Sequence, residues 1–213
     1  FPAFASRDAC GERATWRGVS PSSSSRNSTP PAKPIAAYPR AVSRTPNERR
    51  TASLDARLNA AAQCQEWGYP LAFHFDPIVI YEGCEADYQR VIKQMFSYVS
   101  PENIVWISLG TLRFPPSIKT VIQKRFPDSK IIYEEFVKGL DGKMRYFKPL
   151  RINLYRRVAE CIRDHAPDAV VYLCMEDDEV WQKSLGFIPD DVGGLPHMLD
   201  MSAAKHCHLE LGG

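Results

Sequence analysis

Between Gly68 and Gly83 the chain reads GYPLAFHFDPIVIYEG, and no other stretch restricts its fold so tightly. Gly68 can take the positive φ that stops a helix, and Pro70 does not continue one. Leu71, Ala72, Phe73 and Phe75 then form a short apolar run, the pattern of a strand covered on both faces. Asp76-Pro77 is expected to end that strand, and an acidic, aromatic loop leads on to Gly83. In parallel α/β folds ligands gather beyond the carboxyl ends of the strands. That rule puts His74, Asp76, Tyr81 and Glu82 near a functional mouth, although an ordinary strand with an ordinary loop fits the same pattern.

The rest of the chain from Thr51 onward supplies the partners such a strand needs. Thr51 or Ser53 can cap a helix with Leu54, Leu58, Ala61 and Ala62 on one face. Tyr88, Val91, Ile92, Met95, Phe96 and Val99 recur at helical spacing, so 85–99 reads as a second helix. Ile104 to Leu109 is β-rich, and Pro116 opens a helix expected to turn Ile118, Val121 and Ile122 inward. Lys130 to Val137 reads as a third strand. Asp141-Gly142 signals a turn, so this strand folds back on Lys143 to Phe147 as a hairpin expected to project. A helix from Pro149 to His165, with Leu150, Leu154, Val158, Cys161 and Ile162 inward, precedes a buried strand at 169–175 and a short helix at 178–185. This order indicates an α/β fold: a parallel sheet of about four strands or a partial (β/α) barrel, with a β-hairpin, since four strands do not close a barrel of eight.

The first fifty residues have another texture. They hold nine of the 27 Lys and Arg residues against three acids, seven of the 17 prolines and a Ser-rich run, with no periodicity of helix or strand. Residues 1–47 are therefore expected to be a disordered leader, 48–188 the folded α/β body, and 189–213 a C-terminal tail. The leader is also open to reading as a transit peptide, or as a stretch outside the natural frame, since the chain opens on Phe. No apolar run reaches membrane-spanning length, and the cysteine pattern favours a reducing, cytoplasmic setting.

Several motifs carry a family resemblance. Thr51-Ala-Ser-Leu-Asp-Ala-Arg-Leu58, Gly68-Tyr-Pro-Leu-Ala-Phe73, and Asp76-Pro-Ile78 with Glu82-Gly83 resemble the second half of the catalytic barrel of spore photoproduct lyases. Leu112-Arg-Phe114, Val121-Ile122, Lys124-Arg-Phe-Pro127, Lys130 and Arg145-Tyr146 continue the likeness, which spans roughly Glu48 to Val171. The resemblance implies a radical SAM fold, S-adenosylmethionine and a 4Fe-4S cluster as cofactors, and lesion-containing DNA as partner. It implies a cofactor edge at Asp76 and Pro77, and substrate contacts at Arg113, Lys143, Arg145, Tyr146 and Lys148. The family reverses a thymine dimer through a 5'-deoxyadenosyl radical.

One part of that chemistry has no counterpart here. Three thiolates must converge on one cluster, which the family achieves with C-x3-C-x2-C. The six cysteines are Cys10, Cys64, Cys84, Cys161, Cys174 and Cys207, and no two lie closer than the pair Cys161 and Cys174. The cluster ligands are absent, so this chain is expected not to be catalytic by itself. Cys64, Cys161 and Cys174 read as core thiols, Cys84 as an exposed thiol in the suspected ligand loop, and His206-Cys207-His208 as an isolated chelate in the tail. Glu176, Asp177, Asp178 and Glu179 fit either a rim cation site or the acidic start of a helix. Lys138, Lys143, Arg145, Lys148 and Arg151 interleave with Phe136, Tyr146 and Phe147, which independently suggests a nucleic-acid edge. Three functions fit: part of a repair lyase, a cluster-free nucleic-acid binder, or an inert α/β fragment.

Overall fold

The computed structural model describes residues 52–208 and, by backbone alone, 35–37. Its elements run β1 (Ile35–Ala37), α1 (Leu54–Glu66), β2 (Leu71–Ile78), α2 (Cys84–Tyr98), β3 (Ile104–Thr111), β4 (Arg113–Phe114), α3 (Pro116–Arg125), β5 (Phe136–Lys138), β6 (Met144–Tyr146), α4 (Lys148–His165), β7 (Val170–Leu173), α5 (Asp178–Leu185) and α6 (Leu195–Cys207). The molecule is mixed α/β. A parallel sheet has the order β1-β2-β3-β7, and a small antiparallel sheet has the order β4-β6-β5.

Local chemistry accounts for the element ends. Ser53 caps α1, its hydroxyl accepting from the Ala56 amide at 3.2 Å. Gly68 and Gly83 both adopt φ of 81°, which a side chain would resist, one just after α1 and the other at the start of α2. Asp177 caps α5 through the Val180 amide at 3.0 Å.

Alternation divides the parallel sheet into two faces. Phe73, Phe75, Ile107, Leu109 and Leu173 point to one side and join α1, α2, α4 and α5 in a single buried cluster. Burying each phenylalanine there contributes about 1.5–3 kcal/mol. The register pairs Ala72 with Trp106, His74 with Ser108, and Ser108 with Tyr172, so these residues share the opposite face. That face leads upward to Asp76, Gly110 and Cys174 at the strand ends.

Several expectations need correction. β2 does not end at Asp76-Pro77 but continues to Ile78, because a register shift between Phe75 and Ile78 takes the proline out of the regular ladder. The segment 130–137 adds no parallel strand: only Phe136–Lys138 is extended, and it pairs antiparallel with β6. α3 buries none of its residues, and Val121 is exposed, so its apolar spacing describes a surface helix. Leu150 is exposed as well, since the first turn of α4 extends past the core that holds Leu154, Val158 and Ile162.

Two regions outside the expected body are structured. Ile35–Ala37, inside the leader, pairs with Leu71–Phe73 as β1; the other leader residues, 1–34 and 38–47, lie outside the described residues. The tail contains α6, whose buried Ser202 donates its hydroxyl to the Val105 carbonyl. Val105 is the extra residue between the pairs Leu71 with Ile104 and Ala72 with Trp106, and the serine satisfies its carbonyl. Removing that acceptor's partner in Ser202→Ala is expected to cost about 1–3 kcal/mol, measurable by urea denaturation.

Candidate functional site

The parallel strands end at one rim, and three polar assemblies are built on it. In the first, Arg113 of β4 faces Asp76 of β2 fork to fork, Nη1 to Oδ1 at 3.0 Å and Nη2 to Oδ2 at 3.0 Å. Nη1 also donates to the Thr111 carbonyl at 3.2 Å, and Nη2 approaches Cys174 Sγ at 3.2 Å. One guanidinium therefore joins the ends of β2, β3 and β7. Burial opposes its charge, but Asp76 outweighs burial and raises the Arg113 pKa. Burial pushes the Cys174 thiol up, only partly offset by Arg113, so it stays protonated at neutral pH. His74 lies on the same face; burial lowers its pKa against the pull of Asp76, which leaves the imidazole neutral.

Gly110 makes this closeness available. A Cβ there would stand 2.9 Å from Arg113 Nη1 and 2.9 Å from the Asp76 carboxyl. Gly110→Ala is expected to force the ion pair apart and destabilise the fold by about 1–3 kcal/mol. A shift in the denaturation midpoint together with loss of the pair in a crystal structure would check it.

The second assembly uses tyrosine hydroxyls to satisfy backbone at the strand ends. Tyr88 accepts from the Val79 amide at 2.8 Å, Tyr146 from the Ile80 amide at 3.3 Å, and Tyr155 from the Thr111 amide at 2.7 Å. The loop after β2 is thus fastened from both α2 and β6. Tyr81 turns to Asp87 instead, donating at 2.6 Å.

The third assembly centres on Glu176, whose side chain is 2 % exposed. Arg151 grips it with Nε and Nη2, both at 3.1 Å, and Tyr155 donates to it at 2.8 Å. Arg151 Nη1 also donates to the Tyr146 carbonyl. Arg145 reaches the Met175 carbonyl at 2.9 Å, Glu176 at 3.8 Å, and Asp141 at 2.6 Å.

This use of charge revises the projecting hairpin. Arg145 and Tyr146 are 8 % and 1 % exposed, and Phe136 stacks on Tyr146 at 4.7 Å with Phe114 edge-on at 4.9 Å. They form a small core because β6 is the middle strand of its sheet. Lys148 is tied to Asp177 at 2.9 Å and Glu179 at 2.8 Å. Lys143 lies 3.6 Å from Asp141 and 3.5 Å from Met175 Sδ. Lys138, Val137, Leu140 and Phe147 are exposed.

Acid should loosen this corner first. Arg145, with the Lys143 amide and charge, holds the Asp141 carboxyl down to about 2 against slight desolvation. Lys148 and then Lys183 hold Glu179 to about 2. Both carboxyls titrate near 4 in an unfolded chain, so their contributions are complete above about pH 4 and disappear as the pH falls toward about 2. Hairpin amide exchange followed from pH 5 to pH 2 is expected to accelerate relative to α2 across that window, after correction for intrinsic exchange.

The remaining candidates find plain roles. Glu176 serves arginines, Asp177 caps α5, and Glu179 pairs with lysines, so three of the four carboxylates of the acidic run already have partners; no metal-binding group of His, Cys, Asp or Glu occurs among the described residues. Cys84 is buried at the start of α2, where burial pushes its thiol up, contrary to an exposed loop thiol. His206 turns to the Ser202 carbonyl, while Cys207 is buried.

A family model for spore photoproduct lyase matches residues 42–171, which is most of the described body. The chain belongs to the spore photoproduct lyase family. The match begins ahead of the motif likeness at Glu48 and ends at the same residue, within β7. Spore photoproduct lyase of Bacillus subtilis (strain 168) is 30% identical over 122 residues, covering 56% of this chain and 33% of that protein. The Clostridium acetobutylicum enzyme is 28% identical over 101 residues, 47% of this chain and 28% of its own length. A spore photoproduct lyase variant solved with dinucleoside spore photoproduct superposes with a TM-score of 0.52 at 26% identity, covering 58% of this chain and 39% of that one. Another, with bound AdoMet and dinucleoside spore photoproduct, gives 0.51 at 25% identity, covering 59% and 39%. The chain thus spans about one third of the length of the curated relatives it matches. No helix among the described residues is long and apolar enough to cross a membrane.

Tyr155, Gly110 and Thr111 are rim residues that sequence reasoning missed. Their partners lie far along the chain, Tyr155 reaching back 44 residues to Thr111, and no local periodicity encodes such a pair. Arg151 and Glu176 were each visible as charges, but not as each other's partners.

Proposed function

We propose that this chain is an arc of a radical SAM-type (β/α) barrel, β2-β3-β7, that holds lesion-containing DNA at its strand ends, the part of a thymine-dimer-reversing enzyme that binds the lesion and not the part that starts the chemistry. The observation that carries this reading is the rim itself: the ends of three parallel strands meet a hairpin with Lys138 and Lys143 beside exposed Val137 and Leu140. Cations there neutralise phosphate, and apolar tips meet unstacked bases. Arg145 and Tyr146 act from within, shaping the hairpin. Lys148 sets the start of α4, and Arg113 keeps the Asp76-Pro77 corner in place as the cofactor-facing edge.

The residues present do not fit the iron-sulfur cluster. Cys64, Cys84, Cys161, Cys174 and Cys207 are free thiols without the C-x3-C-x2-C spacing, and Cys174 is held by Arg113. In family enzymes the cluster and AdoMet supply the 5'-deoxyadenosyl radical; this chain's own residues bind and orient. Nucleic-acid binding without radical chemistry is therefore the reading for the chain acting alone. Its free cysteines suit a reducing, cytoplasmic setting.

Fluorescence anisotropy with an oligonucleotide carrying one thymine-dimer lesion tests the proposal. Because Arg145, Arg151 and Lys148 are engaged by carboxylates, few cations remain for phosphate. Affinity is expected to fall with a log-log salt slope of only about −1 to −2 between about 50 and 200 mM. Lys138→Ala with Lys143→Ala should flatten it. Binding that ignores salt, or no saturable binding at the lowest salt, defeats the reading.

A further inference from the structure

We propose that Glu176 is a positioning residue: its buried carboxylate sets the orientation of Arg145 and Arg151 and thereby locks the β5–β6 hairpin to the end of β7. The inference rests on reading that hairpin as the nucleic-acid edge, and adds what fixes it there.

The turn after β7 prepares the lock. Met175 adopts φ of 58°, a left-handed conformation that non-glycine residues enter at a cost and that often marks function. Through this turn the Met175 carbonyl receives Arg145 at 2.9 Å, and the next residue, Glu176, turns into the interior. Two guanidiniums then converge on one carboxylate, Arg151 in two 3.1 Å bonds and Arg145 at 3.8 Å, with side chains 5 % and 10 % exposed. Each reaches β6 at a different point: Arg151 holds the Tyr146 carbonyl, and Arg145 is itself part of the strand. Asp141 also pairs with Arg145, but it travels with the hairpin and does not anchor it to the sheet. Glu176 is the acid on the stationary side, since Tyr155 ties it to Thr111 at the end of β3. Without its charge the two guanidiniums repel across the joint they now close.

Hydrogen exchange on the full chain without ligand reads this directly. Glu176→Gln is expected to speed exchange of the hairpin amides, Phe136–Tyr146, by about tenfold or more while α2 and β3 stay protected. Glu176→Asp, which keeps the carboxylate, should stay within about threefold of wild type. With the lesion oligonucleotide, Glu176→Gln and Arg145→Gln should each weaken binding, and the double variant no more than one alone, the mark of residues acting as a unit. Unchanged hairpin exchange, acceleration spread evenly over all elements, or additive binding losses would overturn the proposal. If Glu176→Gln does not fold, Arg145→Gln, which leaves Glu176 paired with Arg151 and Tyr155, must show the same local loosening, or the lock is wrong. Failure of the wild-type chain to bind the oligonucleotide removes the nucleic-acid reading and leaves the exchange result to judge Glu176.

Discussion

Arg151→Ala is expected to cost about 3–5 kcal/mol of folding stability, because it strands a buried carboxylate instead of removing a pair. Glu176 would retain Tyr155 at 2.8 Å and Arg145 at 3.8 Å, neither replacing the two-pronged guanidinium. The Tyr146 carbonyl would lose its donor too. Set against the total of about 5–15 kcal/mol available to a domain, the variant should be partly unfolded or easily melted. Arg157→Ala provides the contrast. Its pair with Glu160 is long, at 3.9 Å, and exposed on both sides, so the change should stay within about 1 kcal/mol. Urea denaturation of the two variants separates buried from solvated charge, and equal losses would contradict the description of the Glu176 site.

Phe73→Ala is the second large effect, expected at about 3–5 kcal/mol. Phe73 is fully buried, pairs in register with both Ala37 and Ile107, and packs into the cluster formed with the helices. Truncation leaves a cavity in mid-sheet, where backbone hydrogen bonds on two sides limit collapse. The midpoint of denaturation should fall with its slope unchanged, since the folded topology persists. A loss under about 1 kcal/mol would mean that β2 is not central to the core.

Much of the body was legible because periodicity and punctuation are local. The face of α2, the cap at Ser53, the stop at Gly68 and the bounds of α5 follow from neighbours within a few residues. The errors share a different cause. Val121 and Leu150 have core spacing but no covering element among the described residues, and pattern alone does not reveal which face is covered. The strand expected at 130–137 failed because only its end finds a partner, β6, and a β-rich run without a partner need not extend. α6 lacked strong amphipathic spacing; its fixed point is one serine hydroxyl on a distant carbonyl.

Charges were harder still. Lys148, Arg145 and Arg151 look in sequence like a basic patch for phosphate, while Glu176, Asp177 and Glu179 look like ligands for a cation. In the structure each set neutralises the other across the joint between β7 and the hairpin. The site therefore has a stiff, internally paired base and a small exposed edge at Val137, Lys138 and Leu140, with the half-buried Lys143 beside it.

Hydrogen exchange with and without a dinucleoside spore photoproduct tests the central claim most directly, because it locates the ligand without requiring chemistry. The account predicts protection confined to the strand-end rim, at the loop after β2, residues 110–114, the hairpin 136–147 and the turn at 174–176. Protection on the helical side of the sheet instead, or none at saturating ligand, would contradict it.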